Sequence, residues 1–178
     1  MKSLYAHFLA YALMGWCATS AIAQERISVT VVSVKDGDTL KVRELAQDIR
    51  IASIDAPETG HGRHKQGQPF GQAARTALVA MMGPAGKVSV QAACYERDRY
   101  ERHICDIFVD GQSAGRTLVA MGLAWANTSN SGRYLRDREL LKIQEQSKAA
   151  GKGLWAARNP VEPWQWRKAC WVDLDCPQ

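Results

Sequence analysis

"VKDGDTLKVRELAQDIRIASIDAPE", Val34 to Glu58, is the stretch on which the fold turns. Asp36-Gly37-Asp38 has the composition of a tight turn. After it, Leu40 and Val42 share one face of a short strand. "DIRIASI" gives another strand, ended by Pro57, which also holds Ala56 extended. Four carboxylates, Asp36, Asp38, Asp55 and Glu58, gather at the ends of these strands, and Arg50 sits inside one between Ile49 and Ile51. Arg50 and Asp55 are an odd number of positions apart, so an unbroken strand would send them to opposite faces. For both to serve one site the strand must bulge or end before Asp55, which the small residues Ala52 and Ser53 permit.

Upstream, "ISVTVVSV" alternates at Ile27, Val29 and Val31, then shifts phase to Val32 and Val34, which predicts a strand with a bulge or sharp bend. Downstream, Phe70, Ala73, Ala74, Ala77, Leu78 and Met81 recur at helical spacing, with Gly83-Pro84 as the stop. "KVSVQAAC" and "ICDIFVDG" alternate again and are joined by the polar loop "YERDRYERH", the pattern of a hairpin. Cys94 and Cys105 each lie in phase with their strand's apolar residues, so a disulfide across that hairpin is geometrically reasonable. Two helical segments follow. "SAGRTLVAMGLA" has Ser113 as a cap candidate. "GRYLRDRELLKIQEQSKAAG" carries an apolar stripe through Tyr134, Leu140, Leu141 and Ile143 and ends at Gly151. Nothing in the tryptophan- and proline-rich tail reads as regular structure. Three strands, a helix, two strands and two helices, without a crossover rhythm, predict an α+β fold. Its expected form is a five-stranded closed barrel of the oligonucleotide-binding (OB) type with about three packed helices.

The 178 residues suit one domain with a real core. "MKSLYAHFLAYALMGWCATSAIA" has an early lysine, an apolar stretch and small residues at Ala21 and Ala23, which reads as a secretory leader cut between Ala23 and Gln24. A membrane anchor is the alternative, but the apolar stretch is short and His7 interrupts it. The expected division is a leader at 1–23, a barrel domain at 24–160 and a Trp- and Cys-containing tail at 161–178. The formal charge of +5 loses one unit with Lys2, leaving +4, a mild bias towards anionic partners. Without Cys17, four cysteines remain. An even number in an oxidising compartment points to two disulfides with three possible connectivities, of which sequence proximity favours Cys94–Cys105 and Cys170–Cys176. The absence of a CxxC pair counts against zinc or redox chemistry.

Asp38 begins a strand and Asp55 ends one, and in a closed barrel such positions can meet. Two hard carboxylates, with waters completing the shell, suit calcium or magnesium. Asp36 adds charge or simply makes the turn. Glu58 is placed to orient or deprotonate a water beside such an ion; alternatively it is a solvated loop residue. Arg50 needs a partner or a wet cleft, and with Arg102 it can grip one phosphate bidentately. The alternatives are a salt bridge for Arg50 and a solvated loop charge for Arg102. His61 and His64 have HxxH spacing, but zinc wants further ligands and none is near in sequence.

"DGDT" at Asp36–Thr39, "RIASIDAPE" at Arg50–Glu58 and "DRYERHICDIFVDG" at Asp98–Gly111, with "LVAMGLAWA" and the closing "GLW", together resemble the staphylococcal nuclease family over roughly Val31 to Trp155. The resemblance implies a calcium-dependent phosphodiesterase that cuts DNA and RNA and leaves 3′-phosphate and 5′-hydroxyl ends. It implies one calcium ion on Asp38 and Asp55, water activation by Glu58, a phosphate clamp of Arg50 and Arg102, and substrate contacts from Tyr100 and Arg99. A monomer free of the membrane after leader removal is expected. Ala56 stands where the family usually has threonine; that position is thought to offer the metal a main-chain oxygen, which alanine also supplies. The family's aromatic pair after the second helix is replaced by "ANTSNS", with Trp125 nearby. Two rivals stay open: an OB-type module that binds nucleic acid without cutting it, and an envelope interaction protein that docks through its tail.

Overall fold

The phase shift around Val31 becomes the bend that closes the barrel. The computed structural model describes residues 24–62, 65–84 and 87–177; the expected leader and His64 of the HxxH pair lie outside them. The first expected strand divides into β1 (Ile27–Ser28) and β2 (Val31–Val34), and the register slips between Val31 and Ser33 opposite β3 (Thr39–Val42). β3 pairs with β4 (Ile49–Ile51), which continues through a break into β5 (Ile54–Asp55). After helix α1 (Gly71–Met82), β6 (Val90–Arg97) and β7 (His103–Val109) form the expected hairpin with Cys94 opposite Cys105, and short β8 (Gln112–Ser113) folds back on β7. β4 and β7 run parallel. The sheet order β1-β6-β7-β4-β3-β2 begins and ends on two halves of one bent segment. The sheet therefore curls until it meets itself, giving the expected α+β, OB-type architecture.

The helices cover this curl. α2 (Ala114–Ala120) starts at Ser113, whose hydroxyl accepts the Arg116 N–H at 3.2 Å, the expected cap. β9 (Trp125–Ala126) pairs with β5, a single turn α3 (Ser129–Gly132) follows, and α4 (Glu139–Ala149) packs on α2. Gly151 has φ 59°, the left-handed stop expected after α4. Leu40, Ile49, Ile51, Ile54 and Ile107 from the sheet meet Leu78, Leu118 and Leu140 from the helices in the core. Each such burial is worth about 1.5–3 kcal/mol. Among the described residues no helix is long and apolar enough to cross a membrane.

Two expectations need correction. The third helix starts at Glu139, and Tyr134 and Leu141 of the expected stripe are exposed. The reason is a competing bond: the Ser53 hydroxyl accepts the N–H groups of Arg136 and Asp137 at 3.0 and 3.1 Å, which holds that segment against the barrel. The buried face of α4 is Leu140, Gln144 and Ser147, and the Gln144 side chain accepts the Ala126 N–H at 2.9 Å. The tail is also ordered. α5 (Pro163–Trp166) has proline at its start and runs into a wider helical turn, Arg167–Val172. Pro163, Trp166 and Cys170 are buried at helical spacing. Both disulfides join the pairs that proximity favours, Cys94–Cys105 and Cys170–Cys176.

Candidate active site

The break between β4 and β5 builds the site. Ala52 makes the last ladder bond to Cys105 at 2.9 Å. Ser53 then turns with φ 64°, and its carbonyl accepts the Asn127 N–H at 2.9 Å. The chain leaves the main sheet for β9, the alternation restarts, and Asp55 comes to the side of Arg50. One guanidinium bridges both metal-ligand candidates: Arg50 Nη1 pairs with Asp38 Oδ2, and Nη2 reaches Asp55 Oδ1 at 3.0 Å. Asp55 is 1 % exposed and Asp38 6 %.

Asp38 is fixed from three sides. The Ala56 N–H donates to Oδ2 at 2.9 Å, the Thr39 hydroxyl donates to Oδ1 at 3.0 Å, and the Asp38 N–H donates to Asp36 at 3.0 Å. Gly37 lets this turn close: a Cβ there would lie 2.7 Å from that of Ala56 and 2.6 Å from that of Ala74. Burial works against the Asp38 charge, but Arg50 beside it and the Ala56 amide hold its pKa below the usual range. Asp36 goes the other way: burial, then the Asp38 charge, push it up to about 7. Glu58 is also raised to about 7, by burial first, with Arg167 opposing. A carboxylate with that proton affinity is suited to accept a proton near neutrality.

Arg102 stands apart from this cluster. Its side chain binds Asp98, with Nε to Oδ2 at 2.8 Å and Nη2 to Oδ2 at 2.7 Å. It immediately precedes β7, two residues before Ile104, the parallel partner of Arg50. Carrying the strand's alternation one residue outward puts Arg102 on the face of that partner. Tyr100 is 60 % exposed; Arg99 lies 4.8 Å and Arg102 5.5 Å from its ring centre, and Arg99 donates to its hydroxyl at 2.7 Å. Trp125 offers no stacking platform, since it is buried edge-on against Trp155 at 4.4 Å.

One site residue escaped sequence reasoning. Arg167, from the tail, donates to Asp55 through Nη1 (3.1 Å to Oδ1) and Nη2 (2.8 Å to Oδ2), and to Glu58 Oε1 at 2.5 Å. It lies 112 positions from Asp55, and no spacing rule links them. The helical stripe Pro163, Trp166 and Cys170 was the available signal that the tail docks.

Residues 48–157, more than half of the chain, match the family described as staphylococcal nuclease homologue. An "Uncharacterized endonuclease" of Haemophilus influenzae is 33% identical over 159 residues, which cover 88% of this chain and 82% of the relative. The chain belongs to the staphylococcal nuclease family. Membership carries the enzyme class, a nuclease. The "Probable staphylococcal-like nuclease CAN1" of Oryza sativa subsp. japonica is 38% identical over 120 residues, and the "Staphylococcal-like nuclease CAN1" of Arabidopsis thaliana 35% over 121. The alignments cover 67% of this chain in both cases, and the chain spans about a third of those plant proteins. The family match starts at residue 48, so Asp36–Thr39, counted in the resemblance, stands outside it.

The donor set fits the metal ion on which staphylococcal nucleases generally depend. It is all oxygen, and the two carboxylates converge closely enough for one guanidinium to span them. Among the described residues no three of His, Cys, Asp and Glu close on one point. Asp38 and Asp55 would hold such an ion, and an all-oxygen donor set suits a hard cation rather than zinc.

Proposed function

We propose that this nuclease is exported, depends on one calcium ion, and hydrolyses DNA and RNA with little regard for sequence to 3′-phosphate and 5′-hydroxyl ends. The observation that carries the reading is the convergence of Asp38 and Asp55 on Arg50, with Glu58 raised towards neutrality beside them. Asp38 and Asp55 hold the ion, which when bound supplies charge that polarises a phosphoryl oxygen. Glu58 orients the attacking water and takes its proton. Arg50 and Arg102 donate to the phosphate oxygens where charge builds during attack. Tyr100 and Arg99, exposed at the hairpin tip, contact the flanking nucleotide. The leader-like start and the two disulfides support export. The chain acts as a monomer, clear of the membrane.

Cleavage of single-stranded and duplex DNA by residues 24–178, with calcium and then with chelator, tests the reading. Cutting that needs calcium and stops with chelator is expected. Salt-sensitive binding without cutting in any divalent ion would leave a nucleic-acid-binding barrel as the account.

A further inference from the structure

We infer that the C-terminal helical segment is a latch on the cation site: Arg167 occupies Asp55 and Glu58, so cation binding and release of this arginine are coupled. The inference rests on the nuclease reading above. Both oxygens of Asp55 already receive guanidinium donors, Oδ1 from Arg50 and Arg167 and Oδ2 from Arg167. A hard cation needs those same oxygens. Arg167 also donates to Glu58 Oε1, the kind of lone pair that must accept a proton from the attacking water. The arrangement therefore sets Arg167 in competition with a cation for Asp55 and with the attacking water for Glu58 Oε1.

The segment is built to present this arginine. The indole N–H groups of Trp166 and Trp171 both donate to the Gln66 carbonyl, at 3.2 and 2.9 Å. The Gln68 side chain donates to the Val161 carbonyl at 2.6 Å and accepts the Glu58 N–H at 3.3 Å, so one glutamine ties the tail's entry to the backbone of Glu58. Cys170–Cys176 closes the segment behind them. Trp166 is buried at 2 %, whereas the Arg167 side chain is 35 % exposed. The anchor can stay while the arginine swings out. The opposite reading, in which Arg167 stays and grips the phosphate, keeps its guanidinium on both oxygens of Asp55.

Calorimetric titration of calcium into residues 24–178, without nucleic acid, compares the natural chain with Arg167→Gln and Arg167→Lys. Arg167→Gln is expected to bind calcium more tightly by a factor in the usual range of coupled sites, about 5–150. Arg167→Lys should fall between, and cleavage by Arg167→Gln should saturate at lower calcium. Equal calcium affinity in all three proteins overturns the latch and leaves the nuclease reading standing. Slower turnover at saturating calcium with unchanged affinity also overturns it, in favour of a phosphate contact. No calcium bound by any of them removes the metal reading and the latch with it.

Discussion

Arg50 shows what a single residue does in this site. A planar guanidinium spans Asp38 and Asp55 at once, which a lysine ammonium, a single point charge, does not reproduce. In the proposed reading Glu58 takes the proton of the attacking water, so Glu58→Gln should leave the circular dichroism spectrum unchanged and cut turnover by about 10²–10⁴, the range of general-base removal. Unchanged turnover would remove Glu58 from that role. Asp36 offers a test that needs no substrate. Its carboxyl is raised from 3.8 to about 7 by burial and by Asp38, so the folded state holds the proton more tightly than the unfolded one. The cation-free protein therefore loses stability as pH rises from about 4 to about 7, and the full penalty stands above that. Asn at this position keeps an oxygen for the Asp38 N–H but carries no charge. Asp36→Asn should raise the melting temperature by about 3–6 °C at pH 8 and leave it unchanged near pH 3. Equal effects at both pH values would contradict the burial argument.

Elements meet at Ser53, where one strand becomes two. For Arg50 and Asp55 to serve one site their odd spacing required a break, which the small residues Ala52 and Ser53 permitted. The local sequence did not show that Ser53 adopts φ 64° or that its hydroxyl binds amides 83 and 84 positions away. The same contrast runs through the helices. α1 and the Ser113 cap were legible because their determinants lie within a few turns of one another. The start of α4 was not, because a distant hydroxyl competes for Arg136 and Asp137. Ser53→Val should cost at least about 2 kcal/mol, since a β-branched residue is strained at positive φ and two inward amides lose their acceptor. Ser53→Gly relieves the strain but not the lost bonds, so its cost should be smaller. Urea unfolding of both variants decides this, and equal losses would mean that the backbone conformation contributes nothing.

At the scale of the whole molecule, the barrel and the tail are two cooperating pieces with different kinds of closure. The barrel's strands, both disulfide pairings (one in the barrel, one in the tail) and four candidate site residues, Asp38, Arg50, Asp55 and Glu58, could be read from alternation, cysteine proximity and family motifs. The tail's arginine could not, because its contact with Asp55 and Glu58 depends on how the complete chain folds back. The two disulfides should report this division. Cys94–Cys105 joins β6 to β7, the most heavily paired strands of the sheet, so replacing both cysteines by alanine should cost the global unfolding free energy about 2–4 kcal/mol. Cys170–Cys176 closes only a short turn of the tail. Replacing both by serine should leave the barrel's melting temperature within about 1 °C, because that bond constrains none of the strands in the global transition, while raising amide exchange across residues 163–172 as a local opening. A melting temperature that falls equally in both double variants would show that tail and barrel unfold as one cooperative unit, with the tail part of the core rather than laid upon it.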